Sequence, residues 1–85
     1  GKSFTGIIIN VTQFGFFVEL TEIFLEGLVH VSSLTDDYYI YIEQEYKLMG
    51  QRKHKVYKIG DRVKVRVKRV DISLRRIDFS LLQLL

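Results

Sequence analysis

The sequence predicts an all-β chain folded as one small barrel, and three observations predict it. Short runs of β-branched and aromatic residues alternate with a period of two, most clearly in "DRVKVRVKRV", where Val63, Val65 and Val67 fall on one face and Arg62, Lys64, Arg66 and Lys68 on the other. Most of these runs are joined by short polar or glycine-marked links, which favour antiparallel neighbours. The chain has 85 residues, with no proline, low-complexity tract or repeat. It is read as a single domain over 1–85, able to bury one modest core but not to build a second lobe or a deep cleft.

The elements follow in order. Phe4 to Val11, "FTGIIINV", reads as a first strand, with Gly6 as the expected site of a bulge or bend. Phe14 to Leu20, "FGFFVEL", is a second strand in which Phe16, Val18 and Leu20 share one face and Phe17 and Glu19 the other. In the third, "GLVHV", Leu28 and His30 share one face, Val29 and Val31 the other. Residues 32–60 are a long excursion: a loop or one helical turn near 32–36, with Ser32, Ser33 and Thr35 as candidate N-caps, then an irregular hairpin through "YYIYIE". "DRVKVRVKRV" is the fourth barrel strand, and "RRIDFSLL" the last, with Ile77, Phe79 and Leu81 inward and Arg76, Asp78 and Ser80 outward. This is the pattern of a five-stranded oligonucleotide-binding (OB-fold) Greek-key barrel with an extended loop or hairpin insertion between strands 3 and 4. An SH3-like barrel has the same alternation.

Composition narrows the chemistry. With no cysteine there is neither a disulfide framework nor a thiolate metal site, and a cytoplasmic location is the expectation. No apolar run approaches the roughly 20 residues of a membrane span, and "GKSFTG" lacks the features of a signal peptide. The net charge of +3 hides a division: residues 1–46 carry one base against seven acids, whereas residues 47–85 carry twelve bases against three acids. Eleven of the thirteen Lys and Arg lie between Arg52 and Arg76. Such clustering suits a polyanion partner if the bases share a surface.

Four pieces in order, "GIIINVTQFGFFVEL", "EGLVHVSSL", "GDRVKVRVKRVD" and "RRIDFSL", resemble the S1-type RNA-binding domain along essentially the whole chain. The central "SLTDDYY" and the tyrosine-rich excursion to "YKIGD" are further similar to the version of that domain near the C-terminus of bacterial ribonuclease R, a 3′-to-5′ exoribonuclease of the ribonuclease II family. The resemblance implies a barrel that grips single-stranded RNA on its second and third strands. Its recurring binding positions fall on Phe14 and Phe17 of "FGxF", His30 of "GLVH", and Asp71 and Arg75 of "VDxxxR". The excursion is longer than in a minimal family member, and Phe16 stands where many members have a smaller residue.

Residue chemistry agrees with that expectation. An exposed aromatic on a small barrel is as often a packing residue as a ligand contact, but Phe17 has Phe14 and His30 beside it in the pattern. Exposed rings stack on any base, at about 1–3 kcal/mol per base. His30 has no cysteine or nearby histidine with which to bind a metal, and is read as a planar group that stacks or donates to phosphate. Outward bases on a strand often serve only to block edge pairing. Here their number favours phosphate contact by Lys64, Arg66, Lys68, Arg75 and Arg76, with Asp71 either orienting Arg75 or accepting from a base amine or ribose hydroxyl. Asp36 and Asp37 read as turn residues, not catalytic acids. Most of the five tyrosines are expected to pack the excursion onto the barrel or another domain, and the apolar ending "SLLQLL" to meet other domains.

The expectation is therefore a non-catalytic single-stranded RNA-binding module cut from a ribonuclease R-like exoribonuclease. Its partners would be RNA and the other domains of that nuclease, not a membrane or a small-molecule substrate. It would hold no cofactor itself, the Mg²⁺ belonging to the nuclease's catalytic domain. The alternatives are an S1-type domain of another translation, transcription or RNA-decay protein, and a protein-docking barrel.

Overall fold

The computed structural model describes residues 2–85. Five strands close a barrel in the order β1-β2-β3-β8-β7: β1 Ser3–Thr12, β2 Gly15–Leu20, β3 Glu26–His30, β7 Arg62–Asp71 and β8 Arg76–Leu84. β1, β2 and β3 form an antiparallel meander, β7 returns to pair with β1, and β8 lies parallel to β3 through Leu28 and Asp78. The order and the parallel rung are those of the oligonucleotide-binding Greek-key barrel, the first of the two barrels that the alternation allowed.

The core follows the alternation. Ile8, Val11, Phe16, Val18, Leu20, Val29, Val63, Val65 and Phe79 are buried inside the barrel, and Phe16 is fully enclosed. Gly15 (φ 146°) brings β2 against β3 so closely that any Cβ would collide with the Val29 carbonyl. Gly6 is not the bulge that its place in the strand suggested. The irregularity lies between Ile8 and Asn10, and Gly6 leaves room for the Val18 side chain.

One further reading is corrected. Val67 is not a core residue: β1 begins at Ser3 opposite Arg66, so beyond that point β7 has only β8 beside it, and the pair continues as an open ribbon with Val67 exposed. The ending "SLLQLL", expected to meet other domains, continues β8 to Leu84, which pairs with Val63; Leu81 and Leu84 pack on the core, while Leu82 and Leu85 are exposed.

The excursion is more ordered than a loop and an irregular hairpin. After a single 3₁₀ turn at Val31–Ser33, the strands β4 Tyr39–Ile42, β5 Lys47–Gly50 and β6 Val56–Lys58 form a three-stranded antiparallel sheet. Ser32, Ser33 and Thr35 cap no helix; Ser33 Oγ donates instead to the His30 carbonyl at 2.7 Å. Leu48, Tyr39 and Tyr57 are buried, and the Tyr57 ring stacks on Phe16 at 5.0 Å and meets Tyr39 at 5.4 Å. The sheet thereby shares the barrel's core. Tyr38 and Tyr46 are exposed.

Candidate nucleic-acid interface

Residues paired in register point to the same side of a sheet, so one outward rung can be followed around the barrel: Asn10 on β1, Phe17 on β2, Leu28 on β3, Asp78 on β8 and Arg69 on β7. Leu28 lies at its middle, buried outside the main core, and forms the floor of an open hollow of about 410 Å³. Thr12, Phe14, Phe17, His30 and Arg76 form the rest of its lining. A smaller hollow of about 180 Å³ continues on the other side of Phe17, between Glu26, Gly27, Arg75 and Arg76. The alternation in β2 that buries Phe16 necessarily turns Phe17 outward, where it is half-buried. Phe14 precedes the strand in a turn held by its amide donating to Thr12 Oγ1 at 3.1 Å, and is 66% exposed.

His30 is positioned from the far end of the chain. Its Nε2 lies 3.1 Å from Asp78 Oδ1, and Arg76 Nε is 3.6 Å from the same oxygen. Asp78, 13% exposed, thus holds a ring and a guanidinium side by side at the rim of the hollow. The arrangement offers two flat aromatic faces, an imidazole and a cation around an apolar floor, the elements needed to stack a base and contact the phosphate beside it.

Of the nine residues expected at the site, Phe14, Phe17, His30 and Arg76 meet around the larger hollow, and Arg75 joins Phe17 and Arg76 at the smaller. Arg75 sits in the left-handed region at φ 53°, so it forms part of the β7–β8 turn itself. Asp71 does not orient it. Its Oδ1 accepts from Ser73 Oγ and the Leu74 amide, and its Oδ2 lies 3.5 Å from Arg69, because the turn folds back over this carboxylate. Those bonds, the Leu74 amide first, hold the Asp71 carboxyl below its ordinary range. Lys64 and Arg66 point outward between β1 and β8, opposite Thr5 and Gln83 and opposite Ser3 and Ser80, and line neither hollow. Lys68 is exposed at the irregularity between Val67 and Arg69.

Sequence reasoning missed Asp78, Leu28, Thr12 and Arg69. Parity already turned Asp78 and Leu28 outward, but their meeting depends on a parallel pairing between segments 50 positions apart, for which a single sequence carries no local signal. Among the described residues no group of three or more His, Cys, Asp or Glu could hold a metal ion, and no helix is long and apolar enough to cross a membrane.

A Greek-key barrel with an aromatic and basic hollow on its β2–β3 face defines an oligonucleotide-binding class of domain, and the family is settled by comparison: the model of the S1 RNA binding domain matches residues 1–82, and the chain belongs to that family. The particular relatives are ribonucleases R. The chain is 51% identical over 82 residues to ribonuclease R of Escherichia coli (strain K12), covering 96% of this chain and 10% of that protein. It is 48% identical over 83 residues to ribonuclease R of Aquifex aeolicus, covering 98% and 12%. It therefore spans about a tenth of the length of these curated relatives. Among solved structures, RNase R of Mycoplasma genitalium superimposes with a TM-score of 0.91 at 34% identity, over 96% of this chain and 13% of that one. The same values hold for that protein in complex with ribose methylated single-stranded RNA.

Proposed function

We infer that this chain is the single-stranded RNA-binding module of a ribonuclease R-like 3′-to-5′ exoribonuclease. The observation that carries the reading is the hollow in which Phe14, Phe17, His30 and Arg76 surround Leu28 on the outer face of β2 and β3, in a chain of the S1 family. Bases stack on Phe17 and Phe14, His30 and Arg76 contact the backbone, and Arg75 with the β7 bases Lys64, Arg66, Lys68 and Arg69 supplies the surrounding positive field. Asp71 acts through the β7–β8 turn that carries the two arginines, as a positioning residue. The module binds and feeds the strand; hydrolysis and its Mg²⁺ belong to a separate catalytic domain of a cytoplasmic nuclease.

Two stacked rings account for about 2–6 kcal/mol of binding at about 1–3 kcal/mol per base. The test is titration of the chain with single-stranded oligo-RNA at two salt concentrations, comparing wild type with Phe17→Ala/His30→Ala. Binding that weakens with salt and falls at least tenfold in the variant is the expected result. A folded variant that binds as tightly as wild type refutes the stacking model, and a wild type that shows no salt-dependent RNA binding points to a protein-docking barrel instead.

A further inference from the structure

We propose that the inserted sheet carries a second RNA subsite, built from the Tyr38 ring and the Arg52–Lys53 tip, which continues the strand's path beyond Phe14. The proposal rests on the RNA-binding reading above and extends it to residues outside the β2–β3 face.

Beside the hollow at Phe17 and His30 lies another of about 480 Å³, lined by Gln13, Ser32, Thr35, Asp37, Tyr38 and their neighbours. The two adjoin along the chain: Thr12 and Phe14 face one while Gln13 faces the other, and His30 faces one while Val31 faces the other. The Val31 amide donates to the Phe14 carbonyl at 2.8 Å, which holds these two edges together. A strand leaving a base on Phe14 therefore passes directly into the second hollow. There the Tyr38 ring, 71% exposed, offers the next flat face.

The charge for the phosphates stands at the same place. The β5–β6 connection reads "QRKHK", Gln51 to Lys55, and Asp37 fixes it beside Tyr38. Its carboxylate accepts from the amides of Tyr38 at 2.7 Å, Lys53 at 2.8 Å and Arg52 at 3.1 Å. Gly50 makes this possible, because a Cβ there would run into Asp37 Oδ2. The Gln51 amide also donates to the Tyr38 carbonyl at 2.8 Å. Asp37 is thus occupied with backbone and Asp36 with Lys55, while among the described residues no ion pair includes Arg52, Lys53 or His54. An exposed ring and two cations in no ion pair, carried on backbone that one carboxylate holds beside an aromatic hollow, match the alternation of base and phosphate in a single strand.

The experiment compares oligo-RNAs of about four and about twelve nucleotides, the first at the short end of the range of roughly 4–16 covered by one barrel of this type and the second well inside it. The variant is Tyr38→Ala/Arg52→Gln/Lys53→Gln, which alters exposed side chains and keeps every backbone amide that Asp37 holds. It is expected to bind the short RNA within about twofold of wild type and the long RNA about tenfold or more weakly. Its salt slope on the long RNA should fall by about 1.4, two contacts at about 0.7 each. Equal binding of the long RNA by variant and wild type overturns the second subsite while leaving the first intact, as does an equal loss on both lengths. Failure of wild type to bind either length overturns the RNA-binding reading itself.

Discussion

Tyr57→Ala separates the two parts of this molecule, because Tyr57 is where the inserted sheet enters the barrel's core. Its side chain is 1% exposed, stacked on Phe16 at 5.0 Å and against Tyr39 at 5.4 Å. Truncating a fully buried aromatic costs about 3–5 kcal/mol, from lost transfer energy and the cavity left behind. Each ring pair is worth about 0.5–1.5 kcal/mol, a share already contained in that range. At about 0.05–0.15 kcal/mol per residue, 85 residues hold about 4–13 kcal/mol of stability in total. A loss of about 4 kcal/mol lowers Tm by roughly 15–30 °C at roughly 4–8 °C per kcal/mol. Thermal unfolding followed by far-ultraviolet circular dichroism and calorimetry reads the effect, with Tyr57→Phe as the control that keeps both ring contacts and most of the stability. A shift below about 5 °C in Tyr57→Ala would refute the reasoning, since it would mean that the insertion is not part of the cooperative core.

Two other outcomes are expected. The carboxylates of Asp37 and Asp71 are held below the ordinary aspartate value of 3.8, mainly by the Lys53 and Leu74 amides respectively. A depressed folded value stabilises the fold above the unfolded value and ceases to do so as pH falls through the folded one. The Tm of wild type should accordingly drop below about pH 4, with a shallower acid slope in Asp37→Asn/Asp71→Asn; equal slopes would show that these bonds do not couple to folding. The two adjacent arginines should also behave differently, as Arg76 lines both hollows at the Phe17 face and Arg75 only the smaller. Arg76→Gln is expected to weaken single-stranded RNA binding by about fivefold or more and Arg75→Gln by about twofold or less, from loss of charged hydrogen bonds to phosphate. The reverse order in a filter-binding or anisotropy titration would mean that the turn swings Arg75 onto the strand.

The alternation along "GFFVEL" was sufficient to divide Phe16 from Phe17, and "GLVHV" to turn His30 outward, because strand parity is a local property of the backbone. The same logic failed at Val67, where alternation continues but the covering strand has ended. It failed again at Asp71, for which Arg75 was one expected partner: the four-residue turn at 72–75 places its hydrogen bonds by backbone geometry that composition does not encode. The insertion was the least legible segment. Its strands are short, and they are held to the barrel by Tyr57, which stacks on Phe16 and meets Tyr39.

What the sequence by itself determined is the five barrel strands, most of their core-facing residues and the aromatic pair at "FGFF", since these follow from period-two patterning and from motifs contiguous in the chain. What only the tertiary structure decided is which groups meet. The parallel contact of β3 with β8 sets Asp78 against His30 and Arg76, and the folding back of the insertion sets the Arg52 and Lys53 amides on Asp37 beside Tyr38. Both depend on pairings between remote segments, whose free energy comes from shared burial and is therefore fixed by the whole fold and not by any local run of residues.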